Sequence, residues 1–437
     1  MTKHLHIHLT FFHHKNRITY HKNSNSGCLN NTFALIKKQT FMKKSNKMKK
    51  RVFRYLKHVF GTIGILLLIG IITIVSLNGS IDYGNNPLKV NLDKEGPYVF
   101  YKNDSVLNVN YIGGNKTDGF YVDQKEYNAN ENIPASCFFP LESTKFNFTI
   151  KSEFKIPKTT YADNQPILAI SDIESGYKAF RDFLINTNVI DNNLNWTFGK
   201  GHLVLVGDFV DRGFSTTQVL WFIYKLEQEA TKYGGHVHFI IGNHELYNMQ
   251  GKFKSASYKY YGVASILGKQ HHDLYDQNSF IGKWMASKNT LELINGNLFA
   301  HGGIHPDIAN YDITIDDVNQ INRAYYYQSY FPKPDQSVEQ LIISSRKGIC
   351  WYRGYFKDDL SQADIEKGIN KFNAKAVVVG HTIQRKVTKF YNGKVFGIDI
   401  KHPKDYNKNW PNKKSEGLLI TQDKYYRVLA NGAKKEL

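Results

Sequence analysis

The chain has 437 residues, of which 41% are hydrophobic and 14% aromatic, so it can bury a large core. Its formal charge of +19 is uneven, because the first 58 residues hold 14 Lys and Arg and no Asp or Glu. The remaining residues comprise 43 Lys and Arg against 38 Asp and Glu. This near balance excludes a strongly basic folded part, so we expect no nucleic-acid partner.

The three cysteines, Cys28, Cys137 and Cys350, lie far apart in the sequence. Without a C-x-x-C pair, a zinc ribbon and a dithiol redox motif are both excluded. Cys137 and Cys350 could form a disulfide in an oxidising compartment, but two buried thiols are the preferred interpretation.

Residues 1–58 are rich in Lys, His and Asn and predict a disordered basic tail. Residues 59–77 carry no charge and as a helix would span about 28 Å, close to the thickness of a bilayer core. Basic residues precede this segment and none follows it directly, so the N-terminus is expected in the cytoplasm. We therefore predict a single transmembrane helix in contact with the lipid bilayer, with the later chain extracytoplasmic. A cleaved signal peptide is the alternative.

Residues 78–160 predict a β-rich extension. Segments 98–103, 106–112, 119–127 and 146–156 alternate apolar and polar residues and are separated by Gly, Asn and Asp. The extension shows no cluster of metal-ligand residues and no nucleophile pattern, so we expect no chemistry from it.

Strands alternate with helices over residues 161–437, which predicts a domain of the α/β class. Buried strands are expected at 165–171, 202–207, 236–242, 297–303, 374–381 and 394–400. Apolar residues at helical spacing predict helices over 177–186 and 216–230. Residues 251–295 and 307–345 are expected to be mainly helical and to wall a cleft. Functional sites in such sheets gather at the carboxyl ends of the strands.

Five of the predicted strands end at a side chain that can bind a metal ion. These residues are Asp172, Asp208, Asn243, His301 and His381. One such residue is commonly a cap or a turn residue. Five in order, three of them within glycine-punctuated motifs, predict a metal site. A purely structural origin of all five is the alternative.

The motifs GDFVDRG, GNHE, HGG and GH begin at Gly207, Gly242, His301 and Gly380. Together they resemble the calcineurin-like metallophosphoesterase superfamily, in the form found in the phosphoprotein-phosphatase branch and its bacterial relatives. The resemblance covers residues 161–400 and implies a double β-sandwich flanked by helices, with a two-metal centre.

The resemblance also implies which residues bind the two divalent ions. The first ion would be held by Asp172 and Glu174, the second by Asn243, His301 and His381, with Asp208 bridging both. Two such ions can hold a phosphoryl group and activate a bridging water for in-line attack on phosphorus. This ligand mixture suits Mn²⁺, Fe or Zn²⁺ better than Ca²⁺, and Mn²⁺ is the preferred prediction.

Further residues match catalytic positions of the family. His244 corresponds to the histidine that protonates the leaving alcohol, and Asp211 to the acid that orients it. Arg212 and Arg353 match positions where guanidinium groups bind phosphate oxygens, and His244 is expected to contact the phosphate as well. The alternatives are a purely structural His–Asp pair and a solvated surface position for Arg353. Glu245 is expected to be a structural hydrogen-bond partner.

Glu174 departs from the family pattern, which reads Asp-x-His-Gly where this chain has Asp172, Ile173, Glu174, Ser175 and Gly176. A glutamate oxygen reaches about as far as the distal imidazole nitrogen, so Glu174 can bind at the same place as an anion. A third negative ligand should lower the Lewis acidity of the ions and shift the pH optimum upward. It should also favour Mn²⁺ or Mg²⁺ at the first position.

The sequence therefore predicts a membrane-anchored, extracytoplasmic, metal-dependent phosphoesterase. Its substrate would be phosphorylated Ser or Thr in a protein, or a small phosphomonoester or nucleotide. One alternative is a non-catalytic membrane module that binds metal or phosphate and has an impaired first metal site. Another is a membrane scaffold whose β-rich extension binds a partner.

Overall fold

A computed structural model describes residues 29–77, 79–84, 92–335, 337–357 and 360–437. The chain divides into two compact units, Met1–Leu77 and Asn78–Leu437. The first contains helix α1, Leu29–Ser76. Residues 29–58 were expected in a disordered tail but are helical, since their Lys, Leu, Met and Gln residues are good helix formers. The rest of that predicted tail, residues 1–28, lies outside the described residues.

Within α1, the segment Phe33–Ser76 contains a window of mean hydropathy 2.6 and is long and apolar enough to cross a membrane. A signal sequence near an N-terminus has the same length and composition. The helix is therefore a candidate membrane span or signal sequence, and its orientation stays a prediction.

The second unit begins with a run of strands and continues with alternating strands and helices. The strands are β1 (Ile81–Gly84), β2 (Glu95–Asn103), β3 (Val106–Asn115), β4 (Gly119–Asn128), β5 (Ile133–Phe139), β6 (Thr144–Ile150), β7 (Thr160–Tyr161), β8 (Ile167–Ile170), β9 (His202–Val206), β10 (His236–Ile240), β11 (Leu291–Ile294), β12 (Asn297–Ala300), β13 (Ala376–Val379), β14 (Thr388–Phe390), β15 (Val395–Gly397), β16 (Asn407–Trp410), β17 (Glu416–Thr421), β18 (Lys424–Leu429) and β19 (Lys434–Glu436). The helices are α2 (Tyr177–Asn186), α3 (Thr216–Lys232), α4 (Asn243–Met249), α5 (Tyr258–Ile266), α6 (Phe280–Ala286), α7 (Ile315–Tyr325), α8 (Val338–Ile343), α9 (Gly354–Lys357) and α10 (Gln362–Asn370).

Two six-stranded sheets form the centre of this unit. The first has the strand order β10-β9-β8-β17-β18-β19, in which β8, β9 and β10 are parallel. The second has the order β14-β15-β13-β12-β11-β7, in which β12, β13 and β15 are parallel. Strand and helix alternation over 161–437 thus gives the predicted α/β class.

The two sheets contribute to one shared buried cluster. It includes Ala169 and Val204 from the first sheet and Phe299, Val378 and Phe396 from the second. Neighbouring residues on the same strands point to the opposite faces, because side chains alternate along a strand. The outer faces of β8–β10 in the first sheet and of β11–β13 in the second pack on helices.

The extension predicted at 78–160 consists mainly of the β2–β3–β4 sheet and the β5–β6 hairpin. Both contact helix α3. Phe148 stacks on Trp221 with ring centroids 4.8 Å apart, and Phe146 lies 5.5 Å from Phe222. The Trp221 indole donates a hydrogen bond of 2.8 Å to the carbonyl of Pro97. The extension therefore shares a hydrophobic core with the helices of the first sheet.

Several elements differ from the prediction. The strand expected over 146–156 ends at Ile150, because the backbone N–H and C=O of Lys151 both bond the hydroxyl of Tyr224. Residues 251–295 contain the short helices α5 and α6 and also strand β11, which pairs with β12. Strands β5 and β17–β19 were not predicted. Cys137 and Cys350 are buried free thiols, as expected.

Candidate metal centre

The carboxyl ends of strands from both sheets bring the predicted metal ligands together. Asp172 and Asp208 lie two residues beyond β8 and β9, and Asn243 lies three residues beyond β10. His301 directly follows β12, and His381 lies two residues beyond β13. The backbone N–H of His381 donates to Asp172 Oδ2 over 3.2 Å, so the two sheets meet at this edge.

The chain turns sharply at these strand ends. Asp172, Asp208 and His381 adopt left-handed φ values of 53°, 57° and 63°. Such values are uncommon for residues other than glycine and cluster at functional sites. A Cβ on Gly207, which has φ 75°, would lie 2.5 Å from His301 Nδ1. Glycine at this position therefore lets the His301 ring approach the backbone of the turn.

Asp208, His301 and His381 each offer a ligand atom within 4.8 Å of the other two. His301 Nδ1–H donates to the Val206 carbonyl over 2.8 Å, which turns Nε2 toward Asp208 Oδ2 and Asn243 Oδ1, each 3.1 Å away. Two oxygen acceptors and an imidazole nitrogen cannot share so small a space without a proton or a cation. This donor set fits a divalent ion.

The pKa values in the cluster follow its surplus of buried carboxylates. Burial disfavours the imidazolium of His301, but Asp208 outweighs burial and raises the His301 pKa to about 10. Burial and repulsion from Asp208 raise the pKa of Asp172 to about 7, against the attraction of His301. Burial and His301 lower the His381 pKa to about 2, which keeps its imidazole neutral, as a metal ligand requires.

Glu174 lies at the same cavity, but its carboxylate contacts two cationic side chains. Oε1 bonds Arg212 Nη1, and Oε2 lies 2.8 Å from Lys404 Nζ. The backbone N–H of Glu174 donates to the Asp208 carbonyl over 3.0 Å, which ties the first motif to the second. Metal ligation by Glu174 thus stays a prediction. A metal ion would have to compete with Arg212 and Lys404 for the oxygens of Glu174.

The predicted dyad has the expected geometry. His244 Nδ1 lies 2.7 Å from Asp211 Oδ2, and both side chains are 3% exposed. Asn248 Nδ2 donates to Asp211 Oδ1 over 2.9 Å and so fixes the carboxylate from the other side. Burial disfavours the imidazolium, but Asp208 and Asp211 together raise the His244 pKa to about 9.

The two predicted arginines face the same cavity. Arg212 Nη2 donates to His244 Nε2 over 3.0 Å, and its side chain is half-exposed. Arg353 Nη1 donates to the backbone carbonyl of His381 and lies 3.3 Å from the Thr382 hydroxyl. Arg353 is therefore partly buried at the site, in contrast to the solvated surface alternative.

Glu245 holds the backbone of the centre. Its Oε2 accepts hydrogen bonds of 2.9 Å from the N–H groups of Gly242 and Asp208, and Oε1 accepts one of 2.8 Å from Phe209. These bonds fix the turn that carries Asp208 against the turn that carries Asn243. The expected structural role of Glu245 agrees with these contacts.

A cavity of about 400 Å³ lies over the cluster. Eight of the predicted residues line it: Asp172, Glu174, Asp208, Arg212, Asn243, His244, Arg353 and His381. The other two, Asp211 and His301, contact residues of this lining. A larger cavity of about 1260 Å³ lies beside α2 and is lined by none of the ten.

The sequence analysis did not place Asp82, Lys401, His402 or Lys404 at the site, and all four line the cavity. Lys401, His402 and Lys404 lie in the segment that follows the last strand of the second sheet. Basic residues are frequent there, so the pattern resembles a solvated loop. The only indication in the sequence was the position of these residues just after the "GIDI" segment, whose Asp399 also lines the cavity.

The predicted strand-end ligands, the predicted His244–Asp211 dyad and the two arginines thus lie together at one cavity. Residues 165–385, half of the chain, match the Calcineurin-like phosphoesterase family, so the chain belongs to this family. The resemblance inferred from the motifs is thereby confirmed, as is the α/β metallophosphoesterase fold. The protein is a hydrolase of phosphoric esters, and its family implies divalent metal ions and phosphorylated substrates.

Relatives are found among protein phosphatases. The chain is 28% identical over 258 residues to Shewanella-like protein phosphatase 1 of Plasmodium berghei (strain Anka), covering 54% of this chain and 67% of that protein. It is 22% identical over 350 residues to Shewanella-like protein phosphatase 2 of Arabidopsis thaliana, covering 68% and 84%. The crystal structure of a cold-active protein-tyrosine phosphatase of a psychrophilic Shewanella species superposes with a TM-score of 0.68 at 29% identity. That superposition covers 78% of this chain and 99% of the Shewanella chain.

Proposed function

We propose that the protein is a metal-dependent phosphoprotein phosphatase. The observation that carries the proposal is the convergence of metal-ligand residues, two arginines and a His–Asp dyad on one cavity of about 400 Å³. Neither the site nor the relatives favour a non-catalytic module. The proposed arrangement is a double β-sandwich with the site at the edge shared by its two sheets.

Two divalent ions, for which Mn²⁺ is the preferred identity, would be held by the six predicted ligands. When bound, they supply Lewis acidity and an activated water nucleophile. The fit rests on the surplus of buried acceptors, since Asp172, Asp208 and Asn243 crowd around two imidazoles without enough donors to balance them. Glu174 would join the first ion only by exchanging contacts with Arg212 and Lys404.

Arg212 and Arg353 would bind the phosphoryl oxygens. Both guanidinium groups line the cavity, and a planar guanidinium can donate to two oxygens at once. Binding by both would hold the phosphoryl group over the metal ligands and orient the ester oxygen toward His244. Positioning of this kind contributes much of the acceleration in phosphoryl transfer.

His244 would protonate the leaving oxygen. Arg212 can only donate, so in the structure His244 Nε2 accepts and Nδ1–H donates to Asp211. The His244 pKa of about 9 favours a second proton at neutral pH, and that proton must sit on Nε2. The half-exposed Arg212 would then turn from Nε2 toward the phosphate, and Nε2–H would face the ester oxygen.

A phosphorylated protein side chain is the proposed substrate, and aromatic residues beside the site favour phosphotyrosine over the phosphoserine or phosphothreonine expected from the sequence. The Tyr247 ring lies 5.8 Å from His244 and 5.0 Å from Trp351, and Trp351 lies 6.1 Å from His381. These rings offer an aryl leaving group an edge-to-face contact next to the proposed acid. The Shewanella relative is itself a protein-tyrosine phosphatase.

The apolar helix α1 supports attachment to a membrane. Its Lys and Arg residues end at Lys57 and its uncharged window follows them, which favours a cytoplasmic N-terminus and an extracytoplasmic phosphatase. Protease treatment of sealed vesicles would test this topology. Protection of Asn78–Leu437 in right-side-out vesicles would contradict it.

The activity is tested with the full chain in detergent, Mn²⁺ and phosphotyrosine, phosphoserine and p-nitrophenyl phosphate as substrates. We expect hydrolysis by the wild type and loss of at least about a hundredfold in Asp208→Asn, since Asp208 is shared by both metal positions. Asp104→Asn, on an exposed turn of the extension, is the matched control and should retain full activity. Equal rates for Asp208→Asn and the wild type would rule out the proposed enzyme.

A further inference from the structure

The extension carries a buried carboxylate that is not part of the metal centre. Glu95 lies on β2 and is 1% exposed, and Lys259 lies on α5 and is 3% exposed. Glu95 Oε2 and Lys259 Nζ are 2.9 Å apart. The first β-sheet of the extension is thus joined by an ion pair to a helix of the α/β part.

The carboxylate of Glu95 is fully satisfied by donors. Its Oε1 accepts from the hydroxyls of Tyr98 over 3.0 Å and Thr217 over 2.8 Å. Its Oε2 accepts from Gln218 Nε2 over 3.2 Å as well as from Lys259. With four donors around it, the position of this buried carboxylate is fixed.

Lys259 connects Glu95 to the loop 208–214, which carries Asp211. Its Nζ also donates to the backbone carbonyl of Phe214 over 2.8 Å. The Tyr260 hydroxyl donates to the same carbonyl over 3.1 Å. Phe214 closes the segment 208–214, which contains Asp211 and Arg212, so both bonds hold the end of the loop that presents the dyad acid.

Stability alone does not account for this ion pair. Replacement of a buried ion pair by apolar residues is often neutral or stabilising, because burying two charges costs about as much as their attraction returns. The ion pair fixes the position of the Lys259 ammonium group, which donates to the carbonyl of Phe214. A role in positioning the Asp211–His244 dyad explains this arrangement more specifically than stability does.

We propose that Glu95 is a positioning residue for the Asp211–His244 dyad and acts through Lys259 and the carbonyl of Phe214. The proposal rests on the phosphatase function proposed above. It gives the extension a share in catalysis, although Asp82 on β1 is the only described residue of the extension that lines the cavity. Because the effect passes through a general acid, it depends on the leaving group of the substrate.

The test compares two phosphate esters. p-Nitrophenolate leaves readily without a proton, whereas the alkoxide of glycerol 2-phosphate needs one, so only the second ester reports strongly on the dyad. The variant is Glu95→Gln/Lys259→Met, which removes both charges together and avoids an unpaired buried ion. We expect kcat for glycerol 2-phosphate to fall about tenfold or more, with kcat for p-nitrophenyl phosphate within about threefold of wild type and KM unchanged.

Two further variants complete the design. Tyr260→Phe removes the other donor to the Phe214 carbonyl and should produce the same selective loss. Glu126→Gln, which breaks an exposed ion pair with Lys102 in the same extension, should leave the ratio of the two rates unchanged.

An equal loss on both esters, or an unchanged ratio in folded Glu95→Gln/Lys259→Met and Tyr260→Phe protein, would overturn the positioning role. Folding is checked by near-UV circular dichroism and Tm. A wild type that hydrolyses neither ester would instead overturn the proposed function. The two failures are therefore distinguishable.

Discussion

Lys404 Nζ lies 2.8 Å from Glu174 Oε2, on the side of the carboxylate opposite Arg212. The carboxylate of Glu174, which replaces the family's histidine, therefore lies between two cationic side chains. Their positive charge compensates the carboxylate of Glu174, which explains how a third carboxylate is tolerated beside Asp172 and Asp208.

Glu174→His should move the pH optimum of hydrolysis to lower pH. The substitution removes one anionic ligand and raises the Lewis acidity of the ions, so the active protonation state forms at lower pH. It should also shift the metal preference from Mn²⁺ toward Zn²⁺ or Fe. Rates are measured from pH 5 to pH 10 with each metal, and Glu126→His serves as an exposed control.

An identical pH profile and metal preference in Glu174→His would show that Glu174 binds no metal. In that case Lys404→Met should reduce activity mainly through KM, because Arg212 would be drawn fully onto Glu174 and away from phosphate. Lys404→Met that changes neither parameter would leave the Glu174 contacts without a role in catalysis.

Metal content should separate the two ion positions. We expect two bound ions per wild-type chain and a loss of one in His381→Ala, because His381 belongs to the second position alone. Asp208→Asn should lose both, since Asp208 serves both positions. Inductively coupled plasma mass spectrometry after gel filtration gives the count.

The same variants give an independent thermal readout. At a metal concentration of 100 times Kd, binding stabilises the folded chain by about 2.7 kcal/mol, which raises Tm. This rise should be present in the wild type and in Asp104→Asn and absent in Asp208→Asn. A rise of the same size in Asp208→Asn would contradict the bridging assignment.

Asp211→Asn should slow the hydrolysis of poor leaving groups most. Loss of the carboxylate removes the partner of His244 Nδ1–H and lowers the His244 pKa, so less of the imidazole carries the proton that the leaving oxygen requires. We expect kcat for glycerol 2-phosphate to fall about a hundredfold and kcat for p-nitrophenyl phosphate much less. A uniform loss would indicate that Asp211 only supports the fold of its loop.

The positions of the predicted metal ligands at one edge of the sheets could be predicted from the sequence, but the contacts that support them could not. Asp208, Asn243 and His381 follow short buried strands inside glycine-containing motifs, so both their identity and their place at a sheet edge could be predicted. Strand β17 was missed although it pairs directly with β8, because its run of only three large apolar residues, Leu418–Ile420, has no distinctive period.

Glu95, Lys259 and Lys404 show why the remaining contacts escaped prediction. Each is a charged residue in a segment whose local pattern suggests solvent exposure. Their burial or pairing depends on partners far away in the chain, and the distance in sequence between Glu95 and Lys259 leaves no periodic signal. Such pairs can be recognised only in the folded structure, in which the extension packs on α3 and α5.

A chain of buried histidines should make the protein sensitive to acid. His202 Nδ1 lies 2.8 Å from His238 Nε2, His202 Nε2 lies 3.0 Å from Asp163, and His238 Nδ1 lies 2.6 Å from Glu292. His236, Tyr161 and Lys158 also face this group. A single proton can occupy the bond between the two rings, so a doubly charged pair would break it.

Burial, with repulsion from His238, lowers the His202 pKa to about 4, although Asp163 acts in the opposite direction. Since this folded pKa lies below the ordinary value, the contribution to stability is complete above about pH 6.5 and is lost as pH falls through 4. We expect the Tm of the wild type to fall across this window, and His202→Gln, which cannot be protonated, to show a smaller fall. Parallel Tm curves for the two proteins between pH 7 and pH 4 would show that His202 takes no part in the acid sensitivity.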